Sequence, residues 1–276
     1  MTDRYAVIGN PVAHSKSPQI HAMFAEQTGQ DIDYVRLLAP LDGFAATVSE
    51  FFSAGGRGAN VTVPFKLQAH DLAHQVTQRA KDARAANLLK HEDGRIVADN
   101  TDGAGLLRDL EANLGVMLEG KRVLLMGAGG AAQGVLIPLL QARPTILAIA
   151  NRTVDKALRL AENLRHHPDG VQTVVSGQGF ADLAGQHFDV VINATASSLA
   201  DDVPPLPAKI FAPGAFAYDM MYGKGLTAFL AYAQAHGAER VADGLGMLVE
   251  QAAESFLIWR GIRPQTAPVI AALRRG

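Results

Sequence analysis

The sequence predicts an α/β protein with two domains, one a doubly wound parallel sheet and the other an α/β domain built from both chain ends. Three observations lead to this prediction: a length of 276 residues, short apolar strand segments that alternate with helical patterns, and a glycine-rich turn directly between a strand and a helix. An apolar share of 48% is ordinary for a globular protein and gives each domain enough material for a core.

The first third of the chain alternates strand and helix signals. We expect strands at 5–8, 34–38 and 59–63 and helices at 18–28 and 41–54. The dipeptide Asp93-Gly94 between the segments 88–90 and 95–98 favours a hairpin turn. A helix from 103 to about 114 closes this part of the chain.

The middle of the chain repeats short apolar strands with helices between them. Such strands lack polar alternation, as expected for a parallel sheet that is covered on both faces by right-handed crossovers. The strands are predicted at 123–126, 146–150, 171–175, 190–192 and 216–218, the helices between them at 130–141 and 154–164, and three C-terminal helices at 226–236, 244–259 and 267–274. The last two helices are expected to return to the first domain, which then comprises 1–103 plus 240–276, around an inserted domain 104–239.

Composition excludes several functional classes. Lys and Arg total 25 against 27 Asp and Glu, so the net charge of -2 gives no general attraction to nucleic acid or anionic membranes. The chain has no cysteine, which excludes disulfides, thiolate catalysis and cysteine-type zinc sites. Residues 123–142 carry no charge, but their glycines and Pro138 indicate a strand, a turn and a buried helix rather than a membrane span. We expect a cytoplasmic protein, because the N-terminus enters a strand without an apolar signal core.

The glycine turn fits the G-x-G-x-x-A pattern of dinucleotide-binding sites. It occupies Gly127, Ala128, Gly129, Gly130, Ala131 and Ala132, after a strand and before a helix. The first glycine permits the tight turn, the second lets the backbone approach a pyrophosphate, and the N–H groups of the helix start face that anion. The alternative is a tight turn without a ligand. We predict a Rossmann-like dinucleotide domain.

The end of the next strand indicates which dinucleotide is bound. An NAD site places an acidic residue there for the ribose 2′-hydroxyl, whereas this chain has Asn151, Arg152 and Thr153, with Lys156 one turn later. A guanidinium suits a 2′-phosphate. Asp155 is a competing acidic candidate, but it falls in the helix start, where an acid serves the helix dipole. The sequence therefore favours NADP.

One pair of histidines has the spacing of a metal site. His70 and His74 are four residues apart, as in helical zinc sites, but the glutamate expected after the first histidine is missing. We predict no metal.

Seven motifs in order along the chain resemble the shikimate dehydrogenase family, and the resemblance covers essentially the whole sequence. They are GNPVAHSKSP at 9–18, GANVTVPFK at 58–66, DNTDG at 99–103, GAGGAAQG at 127–134, NRT at 151–153, INAT at 192–195 and ADGLGML at 242–248. The resemblance implies NADPH-dependent reduction of 3-dehydroshikimate to shikimate, on the route to chorismate and the aromatic amino acids. Where the family usually has Gly-Ala-Val-Asn-Thr, residues 84–88 are Arg-Ala-Ala-Asn-Leu.

The resemblance also implies roles for individual residues. It assigns the catalytic pair to Lys66 and Asp102 and the substrate carboxylate to Ser15 and Ser17. The remaining substrate contacts that it implies are Asn60, Thr62, Asn87, Tyr222 and Gln251. The implied cofactor contacts are Gly127, Ala128, Gly129, Gly130 and Ala131 at the pyrophosphate, Asn151, Arg152, Thr153 and Lys156 at the 2′-phosphate, and Thr195, Met220 and Gly244 at the nicotinamide.

The chemistry of these side chains is consistent with the implied reaction. Reduction of a ketone needs a proton at oxygen, and a lysine beside an aspartate is a suitable donor. Two serine hydroxyls can converge on one carboxylate, although Ser17 before Pro18 is alternatively a helix N-cap. The expected partner is a small-molecule substrate. The protein itself is expected to be a monomer or a homodimer.

Two other functions remain open at this point. A quinate/shikimate dehydrogenase of broader specificity would reuse the same residues, although an acid in place of Arg152 would be expected. A non-catalytic sensor of shikimate-type metabolites would be expected to lack Lys66 or Asp102, and both are present.

Overall fold

The computed structural model describes residues 2–195, 202–223 and 225–275 and divides into two compact units. The first unit comprises Met1–Gly105 and Leu248–Gly276, and the second comprises Leu106–Met247. Both divisions of the chain fall inside helices, α5 (Asp102–Arg108) and α9 (Leu245–Arg260). The predicted α/β class is confirmed, since each unit contains a six-stranded sheet with helices.

The first unit contains a mixed sheet in the order β2-β1-β3-β5-β6-β4. Strand β1 pairs in parallel with both β2 and β3, whereas β5 is antiparallel to β3 and β6. The strands are β1 (Asp3–Gly9), β2 (Ile32–Leu38), β3 (Gly56–Val61), β4 (Gln75–Val76), β5 (Leu88–Glu92) and β6 (Arg95–Asp99). Besides α5 and α9, the helices are α1 (Ser17–Thr28), α2 (Phe44–Ser53), α3 (Lys66–Asp71), α4 (Gln78–Ala83) and α10 (Ala267–Arg275).

This strand arrangement brings four segments to one edge of the first sheet. Strands β1, β3 and β6 all end there, and β5, which runs the opposite way between β3 and β6, begins there. The segment after β1 contains Ser15 and Ser17, the segment after β3 leads to Lys66, Asn87 precedes β5, and Asp102 follows β6. The edge is therefore where polar side chains from distant parts of the sequence meet.

The predicted hairpin at Asp93-Gly94 is confirmed. Strands β5 and β6 pair antiparallel, and both turn residues have positive φ, 50° and 73°, as a two-residue turn of this hand requires. Arg84 also has a positive φ, 47°, where it ends α4. The pattern that the sequence resembles has glycine at this position, the residue that adopts this conformation without strain.

An aromatic cluster that surrounds His21 of α1 packs α1 and α9 onto β2. The imidazole is fully buried and stacks on Tyr34, with the ring centroids 4.2 Å apart, and Phe24, Phe256 and Trp259 complete the cluster. Burial lowers the pKa of His21 to about 3, because a charged imidazolium would be desolvated there.

His21 is expected to make stability depend on pH. Its folded pKa lies below the unfolded value of about 6.5, so its contribution is complete above that value and is lost as pH falls toward 3. Between pH 7 and 5 the wild type should lose about 2 kcal/mol of unfolding free energy that a His21→Phe variant retains. Denaturant unfolding at both pH values measures this difference. Replacing the exposed His187 with Phe is the control, and this variant should lose as much unfolding free energy as the wild type. If the His21→Phe variant lost the same amount between pH 7 and 5, the prediction would be contradicted.

The second unit contains an entirely parallel sheet in the order β12-β11-β10-β7-β8-β9. Strand β7, which comes first in chain order within this sheet, is central: the chain proceeds outward to β8 and β9 and then returns to build β10, β11 and β12 on the other side of β7. The strands are β7 (Arg122–Met126), β8 (Ile146–Ala150), β9 (Val174–Gln178), β10 (Phe188–Asn193), β11 (Phe211–Asp219) and β12 (Arg240–Asp243), and the helices are α6 (Gly130–Gln141), α7 (Val154–Arg165) and α8 (Ala228–Ala235). This confirms the predicted doubly wound parallel sheet.

The predicted strand at 171–175 is wrong in its position. Residues 168–172 form a short 3₁₀ turn and β9 begins at Val174. The strand includes Gly177, where a side chain would collide with the backbone oxygen of Ala157 in α7. Pairing with β8 and close packing of α7 therefore override the β propensity of the apolar residues before it.

Candidate active site

Lys66 and Asp102 meet at the edge of the first sheet described above. Lys66 is the first residue of α3 and Asp102 the first residue of α5, and the ammonium donates to Asp102 Oδ2 at 2.5 Å. Their side chains are only 16% and 7% exposed, so the pair is shielded from water, where a charge-assisted hydrogen bond is stronger than at the surface. The structure thus brings together the two predicted catalytic residues, which are 36 positions apart.

Asn87 links this pair to helix α9. Its Nδ2 donates to Asp102 Oδ1 at 2.8 Å and to Gln251 Oε1 at 3.2 Å, and its Oδ1 accepts from the backbone N–H of Thr101 at 2.8 Å. All four residues are buried. Asp102 is therefore oriented by two partners, Lys66 on one oxygen and Asn87 on the other.

A second network fixes the segment that carries Asp102. Arg79 in α4 donates from Nη2 and Nε to the two carboxylate oxygens of Asp99, at 2.6 and 3.1 Å, and from Nη1 to Glu254 of α9 at 2.9 Å. Asp99 accepts from the backbone N–H of Asn100, whose own Oδ1 accepts from the N–H of Asp102 at 3.0 Å. A bidentate pair of this kind restricts geometry as well as adding energy.

Asn60 lies beneath the site with both ends of its amide engaged by the protein. Oδ1 accepts from the Tyr34 hydroxyl at 2.8 Å, and Nδ2 donates to Ser255 Oγ at 2.9 Å and to the backbone oxygen of Asn87 at 3.3 Å. Burial raises the pKa of Tyr34 well above its usual value. Thr62, which follows β3, packs its methyl group where a side chain on Gly9 would lie.

Ser15 and Ser17 lie on the turn between β1 and α1. The Ser15 hydroxyl donates to Ser17 Oγ at 3.1 Å, and Arg36 of β2 holds the turn by donating from Nε and Nη2 to the Ser15 backbone oxygen at 3.0 and 2.5 Å. The structure does not place Ser17 at the N-cap: α1 begins at Ser17, with Lys16 in the cap position. That alternative is wrong, and the two hydroxyls lie within hydrogen-bond distance of each other on one turn.

Removing both hydroxyls is expected to weaken binding of a carboxylate substrate. In a Ser15→Ala/Ser17→Ala variant, KM for shikimate should rise at least about tenfold, because two hydrogen bonds to a charged group are lost. The affinity for NADP⁺ should not change. Steady-state kinetics and calorimetric NADP⁺ titration provide the two measurements.

The control for this double variant is Thr47→Ala, because the Thr47 hydroxyl donates within its own helix. A double variant whose main defect is a lower Tm would indicate that the serines only stabilise the turn.

The glycine turn of the second unit lies between β7 and the start of α6. Gly127 has φ of 114°, and a side chain there would approach the backbone oxygen of Ala194, after β10, to 3.0 Å. The turn thus lies where the neighbouring strands β7 and β10 end. The strand order reverses between these two strands, and such a switch point is where open α/β sheets bind ligands. Gly129 is exposed and precedes α6, whose first N–H groups lack intrahelical acceptors. These features fit the pyrophosphate of a dinucleotide.

All the predicted cofactor contacts lie in segments that follow the carboxyl ends of strands in this sheet. Met126, Ala150, Asn193, Asp219 and Asp243 are in register at that edge. The residues that follow them are Gly127 after β7, Asn151 after β8, Ala194 and Thr195 after β10, Met220 after β11 and Gly244 after β12.

The loop after β8 presents a cationic surface. Arg152, Thr153 and Lys156 are exposed, and Asn151 Nδ2 donates to the backbone oxygen of Thr153 at 2.9 Å, which shapes the loop. Asp155 lies in the first turn of α7, as predicted. A doubly charged phosphate fits this arrangement of one guanidinium and one ammonium.

Gly244 and Tyr222 complete the predicted residues of the second unit. A side chain on Gly244 would collide with the backbone of Met220, and the Gly244 N–H donates to the Met221 oxygen at 3.0 Å. Tyr222 follows on the same loop, and burial raises its pKa, so its phenol is neutral at physiological pH.

Within residues 2–195, 202–223 and 225–275, no three acidic or histidine side chains cluster in a way that could hold a metal. The pair His70 and His74 does not share a helix, because α3 ends at Asp71 and His74 Nδ1 accepts from the Ile96 N–H. In that same part of the chain, none of the helices has the length and apolar character needed to cross a membrane.

Several residues of the site were not singled out from the sequence. Arg79, Ser255 and Tyr34 belong to helices or strands with ordinary patterns, and their sequence context carried no signal. Asn100 and Thr101 lie inside the DNTDG motif. Their position as two polar residues between two aspartates is the feature of the sequence that could have indicated them as site residues.

Relatives and solved structures match nearly the whole chain. A shikimate dehydrogenase (NADP(+)) of Nitrosospira multiformis is 60% identical over 99% of this chain and 98% of its own length. One from Methylobacillus flagellatus is 60% identical over 99% of both. The crystal structure of an Ael1 enzyme from Pseudomonas putida superposes with a TM-score of 0.91 at 53% identity, over 99% and 98% of the two chains. That of shikimate 5-dehydrogenase from Thermus thermophilus with NADP(H) and shikimate gives 0.85 at 34% identity, over 99% of both.

Three family models match successive segments. They describe a shikimate dehydrogenase substrate binding domain over 7–89, a shikimate/quinate 5-dehydrogenase over 110–200 and a shikimate 5′-dehydrogenase C-terminal domain over 244–274. The glycine turn at a sheet switch point fits a dinucleotide, and together with these relatives it places the chain among the NADP-dependent oxidoreductases. The chain belongs to the shikimate dehydrogenase family.

Proposed function

We propose that this chain catalyses the reversible NADPH-dependent reduction of 3-dehydroshikimate to shikimate, within the biosynthesis of chorismate and the aromatic amino acids. The observation that carries the proposal is the Lys66–Asp102 pair, held at 2.5 Å and largely shielded from water. Its support is the membership of the family and the sequence identity of about 60% to relatives named for this activity.

Lys66 is the proposed proton donor and acceptor, and Asp102 orients it. NADPH supplies a hydride to the carbonyl carbon when it is bound. Lys66 Nζ donates a proton to the carbonyl oxygen as negative charge develops there, and in the oxidative direction it takes the proton from the hydroxyl. The Asp102 carboxylate accepts from Nζ, and Asn87 holds the other carboxylate oxygen.

The substrate contacts are proposed from the arrangement at the edge of the first sheet. Ser15 and Ser17 would bind the carboxylate, since both hydroxyls lie on one turn. The remaining proposed contacts to the ring hydroxyls are Asn60, Thr62, Asn87, Gln251 and Tyr222. Asn60 and Asn87 already have protein partners, so each would act by holding the site as well as by contacting substrate.

The cofactor contacts are proposed from the carboxyl edge of the second sheet. The turn 127–131 would hold the pyrophosphate and the loop 151–156 the adenosine 2′-phosphate. Thr195, Met220 and Gly244 would border the nicotinamide, because their loops follow β10, β11 and β12 on the other side of β7. The first unit is then the proposed substrate domain and the second unit the proposed NADP domain; β12 and Gly244 belong to the second unit, so its end lies at Met247 rather than at the expected residue 239.

The setting of this activity is also a proposal. We assign the chain to the cytoplasm, as a monomer or homodimer. Its proposed partners are small molecules, and we expect it to bind neither nucleic acid nor membranes. The near-zero net charge and the lack of cysteine are compatible with that setting.

One spectrophotometric assay tests the function. Purified protein is mixed with shikimate or quinate and with NADP⁺ or NAD⁺, and absorbance of the reduced nicotinamide is followed. Fast reduction with shikimate and NADP⁺ is expected. Comparable rates with quinate would indicate the broader quinate/shikimate activity. Tight shikimate binding by calorimetry without turnover would indicate a sensor and contradict the proposal.

A further inference from the structure

Asp219 is a fully buried carboxylate at the end of β11 that accepts hydrogen bonds from three segments of the second unit. Asn193 Nδ2, at the end of β10, donates to its Oδ1 at 3.2 Å, and the Met221 N–H donates to the same oxygen at 3.0 Å. The Thr227 hydroxyl donates to Oδ2 at 2.6 Å. A carboxylate without access to water needs such donors, so each is held in place by it.

The first segment that Asp219 controls is the loop after β10. Because Asn193 Nδ2 points at Asp219, the amide oxygen of Asn193 must face the opposite way. There it accepts from the N–H and the hydroxyl of Thr195, at 3.1 and 2.6 Å. The orientation of Thr195 is thus set by a carboxylate on the neighbouring strand.

The second segment follows β11 and is described at residues 220–223 and 225–227. The Met220 N–H donates to the backbone oxygen of Asn193 at 2.9 Å, and the Met221 N–H donates to Asp219 Oδ1. The backbone oxygen of Met221 accepts from the Gly244 N–H. Thr227 closes the far end of the loop, because its hydroxyl oxygen also caps α8 by accepting from the Leu230 N–H at 3.3 Å.

We propose that Asp219 is a positioning residue for the nicotinamide half of the cofactor, acting through the loops that carry Thr195 and Met220. The inference rests on the proposed function, which places these residues beside the nicotinamide. The adenosine half is proposed to bind at the loop after β8, on the opposite side of β7. Loss of Asp219 therefore disturbs one half of the dinucleotide and spares the other.

The test compares two ligands on the full-length protein. Asp219→Asn keeps the shape but places an NH₂ group against the donors of Asn193, Met221 or Thr227. By calorimetry, the Kd for NADP⁺ should rise about tenfold or more, whereas the Kd for 2′,5′-ADP, which lacks the nicotinamide half, should change less than about twofold. In steady-state assays KM for NADP⁺ should rise and kcat fall, with KM for shikimate unchanged.

Asp189→Asn is the matched control, because this carboxylate pairs with Arg122 near the amino ends of β10 and β7, at the other edge of the same sheet. It should leave both affinities unchanged. Equal losses for NADP⁺ and 2′,5′-ADP in Asp219→Asn, or no loss for NADP⁺, would overturn the inference.

A second pair of variants covers the case in which Asp219→Asn does not fold. Thr227→Val removes one donor to Asp219 and should weaken NADP⁺ selectively, whereas Thr227→Ser keeps the hydroxyl and should bind as the wild type does. Equal NADP⁺ affinity in the two variants would count against the inference. A wild type that binds NADP⁺ but does not oxidise shikimate would refute the proposed function, while the ligand comparison would still decide the role of Asp219.

Discussion

Replacing Lys66 with alanine is expected to lower kcat by 10²–10⁴, roughly 3–5 kcal/mol of barrier, the usual contribution of a positioned acid–base group. KM for shikimate should shift much less, since the serine turn and Asn87 remain. Removing the ammonium also leaves Asp102 with Asn87 and no cation, so Tm should fall. Rates are therefore compared at a temperature where circular dichroism shows both proteins folded, and Lys66→Gln, which keeps a donor, separates the two effects.

Asp102→Asn should also reduce turnover severely, and the double variant should be little worse than the more damaged single one, because the pair acts as a unit. Lys90→Ala is the control, since Lys90 pairs with Glu92 on the hairpin away from the site. Unchanged kcat in Lys66→Ala would refute the pair, and strictly additive losses would mean that the two residues act independently.

Replacing Arg152 with alanine is expected to raise KM for NADPH about ten- to hundredfold while KM for NADH stays nearly constant. A charge-assisted bond to a 2′-phosphate contributes on the order of 1.5–3 kcal/mol, and NADH has no such phosphate. Kinetics with both cofactors measure the difference directly.

Arg143→Ala is the matched control for this variant. Arg143 is an exposed arginine of the same unit that pairs with Glu119 near the amino end of β8. Equal losses with NADPH and NADH in Arg152→Ala would contradict the assignment of the 2′-phosphate.

The second sheet was largely predictable because its central strands β7 and β8 are nearly continuous apolar runs. Helix α6 begins and ends at the residues expected from the sequence, and β8 matches as well. The failures are local: β9 includes Ser176, Gly177 and Gln178, which have low β propensity and become a strand only through pairing with β8. Strand β4 has only two residues and gives no periodic signal.

The site was predictable as a set of motifs but not as a network. The sequence indicates Lys66 and Asp102, yet the bond from Asn60 to Ser255 joins residues 195 positions apart. A single serine on a buried helix face carries no pattern that distinguishes it from a core residue. Arg79 likewise becomes meaningful only when the fold places Asp99 and Glu254 on either side of its guanidinium.

The central position of β7 divides the proposed cofactor contacts into two groups along one edge. Neighbouring strands are about 4.8 Å apart, which places β8 about 14 Å from β11, with two strands between them. Substitutions at that separation without shared partners have additive effects. If the proposed contacts hold, dinucleotide preference and the orientation of the nicotinamide are set by separate loops. We then expect that exchanging the loop after β8 changes the accepted cofactor without a change in the strand ends beside the proposed nicotinamide site.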